Sequence, residues 1–203
     1  MGEPANLADG SPLERSGIIH RLDRETSGVM ILAKTQTTYE ALKAEFHNKH
    51  TYKEYRAFVY GWMKDKRGNI NRPIGRSRRD PRRRSAERGS VGRQRSAITD
   101  WQLLKQGTYG AKAERFAYLK LVPKTGRTHQ LRAHLKAAHR PIVGDELYAP
   151  ASLRAGSNLD IDRLALHAYR LEIKLPNLDR QSFTAPIPPI FTTALERIQM
   201  IAE

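Results

Sequence analysis

Apolar and polar positions alternate along the chain in patterns that predict short strands with helices between them. The run Val29–Ala33 is continuously apolar, which predicts a buried strand. Residues 52–61 alternate between two faces, as in a second strand. The stretch 36–49 follows threonines that can cap a helix, and one face of that helix carries Tyr39, Leu42 and Phe46.

The second half of the chain repeats this mixture of elements. Residues 96–104 and 116–122 look like paired strands, and Thr128–His139 is typical of a helix with Leu131, Leu135 and Ala138 inward. Arg163–Leu175 predicts another strand, and a proline-rich segment precedes a short closing helix. Because strands outnumber helices and the helices lie between them, we expect a mixed α+β domain over residues 17–203.

Residues 76–95 differ from the rest of the chain in charge and composition. They hold nine arginines against Asp80 and Glu87, a net charge of +7 out of +15 for the whole chain. Pro81, Gly89 and Gly92 argue against regular structure, so we expect a flexible basic loop. A merely solvated loop would also explain the pattern, but the arginine density favours contact with RNA. The overall charge suggests a polyanionic partner without identifying it.

Composition excludes several classes of protein. The sequence has no cysteine, which rules out disulfides, thiolate metal sites and cysteine catalysis. No apolar stretch is long enough to span a bilayer, so we expect no membrane partner. Residues 1–16 are polar, lack the pattern of a secretory signal, and predict a loose leader. The simplest expectation is a cytoplasmic protein.

Two segments concentrate reactive residue types, at 20–28 and at 125–132. The first places Asp23 in a turn before the predicted strand, where a side chain is held rigidly yet stays accessible. A carboxylate can attack a glycosidic carbon or stabilise an oxocarbenium-like transition state. Glu25 is nearby, but the neighbourhood is mainly cationic, which favours one catalytic carboxylate over the pair that glycosidases use. Arg132 would supply the countercharge.

At these residues the chain resembles a known family. The segment HRLDRETSG is similar to the active-site motif of the RluA-type pseudouridine synthases, His-Arg-Leu-Asp, two variable residues and Thr-Ser-Gly. Three more blocks resemble the family's later motifs and follow in its order, covering most of residues 17–185. They are KEYRAFVYG at 53–61, GRTHQLRAHL with PIVGDELY at 126–148, and RLALHAYRLEI at 163–173.

The resemblance implies a mainly antiparallel mixed sheet with flanking helices and a central RNA-binding cleft. It implies isomerisation of uridine to pseudouridine in ribosomal or transfer RNA after the nucleotide flips out, by a monomer with no metal and no cofactor. Asp23 matches the catalytic aspartate, Tyr55 the base-stacking tyrosine and Arg132 the arginine that pairs with the aspartate. Residues expected to contact RNA are His20, Arg21, Thr26, Arg127, His129 and Leu131; for Arg127 and His129, structural hydrogen bonds are an equal alternative.

The chain departs from the family pattern at three places. No Lys-Pro-x-Gly turn with its strand pair is found between Met1 and Gly17, so we expect a fragment, a mis-started reading frame or a trimmed form. No basic RNA-binding domain of the S4 type precedes the motif, as in the stand-alone members. Ala138-His139-Arg140 stands where the family has a glycine-containing turn, which predicts a local change in the backbone.

Two other functions remain open from the residues alone. A non-catalytic RNA-binding module for ribosome assembly would suit the basic charge equally, but would not need an aspartate in a cationic pocket. A nucleic-acid hydrolase would need a cluster of metal-binding carboxylates, and the sequence shows none.

Overall fold

A twisted sheet of seven strands forms the body of the protein in the computed structural model, which describes residues 17–176 and 178–199. The expected leader at 1–16 lies outside the described residues. The helices are α1 (Gln36–His47), α2 (Gln130–Ala137), α3 (Ala151–Arg154) and α4 (Pro189–Arg197). The strands are β1 (Ser27–Gly28), β2 (Tyr52–Tyr60), β3 (Arg67–Asn71), β4 (Ile74–Arg76), β5 (Arg84–Ser85), β6 (Val91–Arg95), β7 (Ile98–Tyr109), β8 (Glu114–Pro123), β9 (Leu166–Lys174) and β10 (Arg180–Thr184).

The main sheet has the order β1-β9-β2-β8-β7-β3. Strand β10 also pairs with β9, at residues 170–174, which follow the two residues of β9 that pair with β1. Its neighbouring strands are antiparallel, except that β1 runs parallel to the start of β9. Sheet and helices together confirm the predicted α+β class with a mainly antiparallel sheet.

The core lies where β2 and β8 cross the centre of the sheet. Phe58 is fully buried and packs its ring against Tyr118 on β8 and Phe191 on α4. Leu131 and Leu135 of α2 join the same cluster, as their helical spacing predicts. Each such side chain contributes about 1.5–3 kcal/mol through removal of apolar surface from water. This burial fixes α2 against the sheet and thereby fixes Arg132 between the two leucines.

The predicted buried strand at Val29–Ala33 is wrong. Only Ser27 and Gly28 pair with β9, and Met30 and Leu32 are 41% and 50% exposed. The reason lies on β9, whose edge is occupied by β10 from Arg170 onward. After Gly28 the chain therefore has no free edge to follow, and it leaves the sheet as an extended segment with a single bridge from Leu32 to Ile18.

The flexible loop predicted at 76–95 is also wrong. The segment forms a small sheet of the order β5-β4-β6. Ile74 and Ala86 anchor it to a second apolar cluster that includes Ala133 and Ala137 of α2. Gly89, with φ of 84°, lies in the turn between β5 and β6, and Gly92, with φ of 70°, lies within β6. These glycines therefore form part of the small sheet instead of preventing regular structure.

The second half of the chain follows its predicted elements with shifted ends. Helix α2 begins at Gln130 rather than Thr128, because His129 has a left-handed backbone with φ of 53°. His139 also has a positive φ, 58°, at the position where a glycine-containing turn is expected. The local change expected at Ala138-His139-Arg140 is thus a histidine in the left-handed conformation.

Candidate active site

A cleft of about 450 Å³ opens where the turn at 19–26, the start of β2 and the loop before α2 meet. All of the site residues expected from the sequence line this cleft, namely His20, Arg21, Asp23, Thr26, Tyr55, Arg127, His129, Leu131 and Arg132. Segments separated by about a hundred residues in the chain therefore build one pocket. Asp23 is the only acidic residue among the described residues that line it.

The backbone after Asp23 is held against the first residues of β9. The Asp23 carbonyl accepts from the Thr26 amide at 2.9 Å, which closes the turn. Ser27 Oγ and His167 Nδ1 are 2.8 Å apart, so His167 forms a structural hydrogen bond to this turn. Gly28 has φ of 121°, and a Cβ there would lie 2.1 Å from the Ala168 carbonyl oxygen. Ser27 and Gly28 thus allow the backbone of the turn to pack directly against the backbone of β9, which fixes the position of the turn.

His20 supports the other side of this turn. Its Nε2 accepts from the Ile31 amide at 3.1 Å, and its ring stacks on Phe46 with centroids 4.6 Å apart. Burial, followed by the nearby Lys53 cation, lowers the pKa of His20 to about 4. A neutral imidazole that accepts a backbone hydrogen bond orients the motif, so this contact is structural while the ring still lines the cleft.

Arg132 stands between two carboxylates. Its Nε and Nη2 donate to Asp145 at 2.8 and 2.7 Å, and its Nη1 lies 3.6 Å from Asp23 Oδ2. The guanidinium fork therefore binds Asp145, and Arg132 pairs with Asp23 through Nη1 alone. Asp145 is fully buried and also accepts from the Leu147 and Tyr148 amides, so it holds Arg132 in place. Asp23 receives the positive charge and keeps both oxygens accessible to a substrate.

His129 and Tyr148 form a second support beside Asp23. His129 Nε2 lies 3.9 Å from Asp23 Oδ1, and its Nδ1 lies 3.0 Å from the Tyr148 hydroxyl. That hydroxyl accepts from the Arg84 amide at 2.7 Å, which leaves its own proton free for Nδ1. The arrangement favours a proton on Nε2, facing Asp23. Burial lowers the pKa of His129, against the opposing effect of Asp23.

Tyr55 lies on β2 next to Asp23. Burial, together with the negative charge of Asp23, raises the pKa of Tyr55 to about 12. The phenol therefore keeps its proton throughout the neutral range, and a flat aromatic ring is offered to the cleft. Burial also lowers the pKa of Lys53, two residues earlier on the same strand, so this cation stands in the cleft poorly hydrated.

The side chains of Thr26 and Arg21, both in the cleft lining, form no hydrogen bond with the described residues. Thr26 Oγ1 is shielded from solvent and has no hydrogen-bond partner within the described part of the chain. Arg21 is exposed at the rim. Arg127 instead donates from Nε to the Ser96 carbonyl at 3.1 Å, which gives it a structural bond as well as a place in the cleft wall.

Three residues around the site escaped the sequence reasoning, namely Lys53, Asp145 and Tyr148. All of them stand inside the conspicuous blocks at 53–61 and 141–148. Their partners could not be named from the sequence, because each contact joins residues that only the tertiary structure brings together.

The described residues contain no group of three or more His, Cys, Asp or Glu side chains placed to hold a metal ion. The helices among them are too short or too polar to cross a membrane.

The chain is similar in sequence to known proteins. A family model described as RNA pseudouridylate synthase matches residues 6–137. The ribosomal large subunit pseudouridine synthase D of Borreliella burgdorferi is 38% identical over 181 residues, which is 89% of this chain and 52% of the relative. The dual-specificity RNA pseudouridine synthase RluA of Vibrio cholerae is 36% identical over 167 residues, 82% of this chain and 62% of the relative.

A solved structure agrees with these relatives. Human RNA pseudouridylate synthase domain containing 1 superimposes with a TM-score of 0.76 at 26% identity, over 92% of this chain and 78% of that one. The chain spans between half and two thirds of the length of the curated relatives named above. The matching segment includes the motif at 20–28 and the whole of α2. The chain belongs to the RNA pseudouridylate synthase family.

Proposed function

We propose that this protein isomerises specific uridines in structured RNA to pseudouridine, with Asp23 as the essential carboxylate. The observation that carries the proposal is the isolation of Asp23 in a cationic cleft, with Arg132 at 3.6 Å and His129 at 3.9 Å. A two-carboxylate hydrolase would need a second acidic group in the cleft. Asp145, the nearest candidate, is buried behind Arg132 and fully engaged.

The reaction breaks the bond from N1 of the uracil to C1′, rotates the base and joins C5 to C1′. Asp23 acts either by adding to C1′ or by removing the C2′ proton, and both routes require its ionised form. A proton-removing role for Tyr55 has little support, because its pKa of about 12 keeps the phenol neutral. Tyr55 is better suited to stack on the target base, with Leu131 as an apolar wall of the base pocket.

Access to C1′ requires the nucleotide to leave the stack. Arg21 at the rim is placed to enter the gap that the flipped nucleotide leaves, and Thr26 Oγ1 offers an unused hydrogen bond within the cleft. We propose ribosomal or transfer RNA as the substrate, and the relative named for the ribosomal large subunit supports the first of these. We propose a cytoplasmic monomer that needs no metal and no cofactor, so chelators should leave its rate unchanged.

The decisive experiment compares Asp23→Asn with Asp65→Asn, an exposed aspartate outside the cleft. RNA from cells lacking this gene is incubated with each protein, treated with a pseudouridine-specific label and read by mass spectrometry. Asp23→Asn should lose isomerisation and keep RNA affinity, because the change removes charge but little volume. Asp65→Asn should match the unchanged protein. The proposal would be contradicted if Asp23→Asn turned over at nearly the rate of the unsubstituted protein. It would also be contradicted if the unsubstituted protein formed no new pseudouridine.

A further inference from the structure

A second cavity, of about 570 Å³, lies outside the catalytic cleft between the small sheet and α2. Its wall is strongly basic and carries Arg78, Arg79, Arg83, Arg84, Arg88 and Lys136. Two of these cations are already paired. Lys136 Nζ lies 2.6 Å from both oxygens of Glu87, and Arg83 Nε lies 3.4 Å from Asp80.

The remaining four guanidiniums, those of Arg78, Arg79, Arg84 and Arg88, form no ion pair with any described residue. Four uncompensated guanidiniums around one concavity repel each other unless an anion joins them. A guanidinium donates two parallel hydrogen bonds to a phosphate, which makes arginine better suited to this task than lysine. The cavity is thus built for a phosphate, with Ser77 and Ser85 as additional hydroxyl donors in its wall.

The cavity adjoins the catalytic cleft. Helix α2 contributes Arg132 to the cleft and the next residue, Ala133, to the cavity. Tyr148 lines the cavity, and its hydroxyl bonds to His129 in the cleft. The cavity and the cleft are therefore connected through α2 and through the contact between His129 and Tyr148.

We propose that this cavity binds a backbone phosphate of the RNA on one side of the target uridine. The proposal rests on the function proposed above and deepens it, since it assigns a second point of contact to the same substrate. We expect the cavity to contact the RNA backbone and not to distinguish one base from another. Tyr148 is the only aromatic side chain in its described lining, and the Tyr148 hydroxyl is already engaged by Arg84 and His129.

The test compares two double substitutions on the same small sheet. Arg79→Gln with Arg88→Gln removes two exposed arginines from the cavity, whereas Arg93→Gln with Arg95→Gln removes two exposed arginines outside it. Exposed positions are chosen so that both proteins fold, which circular dichroism and thermal melting verify. The probes are an RNA stem-loop with uridines in its loop and a single-stranded oligonucleotide of the loop sequence alone. Binding is measured over a series of salt concentrations.

On the stem-loop, the cavity variant should lose about tenfold or more in affinity, and its logarithmic salt slope should fall by about 0.7–0.9 for one lost phosphate contact. The control variant should lose clearly less. On the short oligonucleotide the cavity variant and the unchanged protein should bind alike, because the flanking phosphates are missing. Changing the base sequence of the stem should leave the loss unaltered.

Equal losses in the two double variants would overturn the proposal, because the arginines would then act only as diffuse charge. An equal loss on stem-loop and short oligonucleotide would overturn it too. Failure of the proposed function has a different signature, since the unchanged protein would then form no pseudouridine while its RNA binding could still be compared.

Discussion

Arg132 gives two of its guanidinium nitrogens to Asp145, at 2.8 and 2.7 Å, and leaves the third facing Asp23 at 3.6 Å. Asp145 is fully buried, so the fork cannot turn without leaving an unpaired buried charge. The Tyr148 ring lies 5.1 Å from the same guanidinium and limits its movement from another side. The cation beside Asp23 is therefore held by groups that never need to touch a substrate.

Arg132→Lys should slow the chemical step about a hundredfold or more, because lysine keeps the charge but cannot satisfy Asp145 and face Asp23 together. Arg132→Ala should be slower still, since Asp23 then loses its cationic neighbour. Single-turnover rates at saturating RNA measure both effects. Normal turnover by both variants would show that the pair with Asp23 has no catalytic role.

Breaking the buried pair should also cost stability, about 3–5 kcal/mol in the free energy of unfolding. Urea unfolding of Arg132→Ala and Asp145→Asn measures this, and activity is then compared under conditions where each variant is folded. Asp145→Asn leaves Arg132 in place without its anchor. We expect its rate to fall while RNA affinity is largely kept, and an unchanged rate would argue against orientation by Asp145.

Tyr148→Phe should lower kcat about tenfold with little change in KM. The substitution leaves the ring over Arg132 but removes the hydroxyl that bonds to His129 and accepts from the Arg84 amide. The unsatisfied amide costs about 1–3 kcal/mol of stability. Tyr109→Phe is the matched control, because its hydroxyl bonds to Asp160 away from the cleft. If the two variants show the same kcat, the His129–Tyr148 contact does not serve the reaction.

The fold should lose stability as the pH falls from about 6.5 to about 4. His20 has a pKa of about 4 in the folded protein and 6.5 ordinarily, so in this window the unfolded chain binds more protons. This histidine alone accounts for a loss on the order of 3 kcal/mol. His20→Gln, which can still accept from the Ile31 amide, should flatten this part of the profile in urea titrations. Identical pH dependence of the two proteins would contradict a buried neutral His20.

Gly28→Ala should displace the catalytic turn, because the added Cβ meets the Ala168 carbonyl oxygen at 2.1 Å. Gly110→Ala provides the control, since Gly110 has a positive φ of 79° but nothing within 4 Å of a Cβ. Gly110→Ala should cost only about 1–2 kcal/mol of backbone strain. Gly28→Ala should cost more stability and reduce the single-turnover rate. Equal effects of both substitutions would mean that close packing on β9 is unimportant.

The sequence predicts which residues line the cleft, but it does not predict which of them form hydrogen bonds and ion pairs with each other. Asp23, Tyr55 and Arg132 were expected together, because each stands in a block whose order resembles one family, and they do line one cleft. Their chemical roles remain predictions. The partner of the Arg132 fork was not predictable, because two carboxylates compete for it and only the tertiary position of residue 145 decides between them.

The two wrong elements have the same kind of cause. Val29–Ala33 has the composition of a buried strand, but strand pairing needs a free edge, and β10 takes that edge from Arg170 onward. The small sheet was missed because its strands are two to five residues long and rich in arginine, so no apolar alternation marks them. Its anchors, Ile74 and Ala86, become meaningful only when α2 is placed beside them.

The parallel pairing of β1 with β9 has a consequence for synthesis of the protein. Ser27 and its partner His167 are 140 residues apart, so the turn that carries Asp23 leaves the ribosome long before the strand that seats it. Arg163, which donates to the Glu25 carbonyl at 2.8 Å, is made equally late. A nascent chain that ends before residue 163 already contains every arginine of the small sheet. It lacks Arg163 and β9, which hold the turn that carries Asp23. Such a chain carries the cationic segment but cannot orient Asp23, so the turn that holds Asp23 takes its position only after β9 has been synthesised.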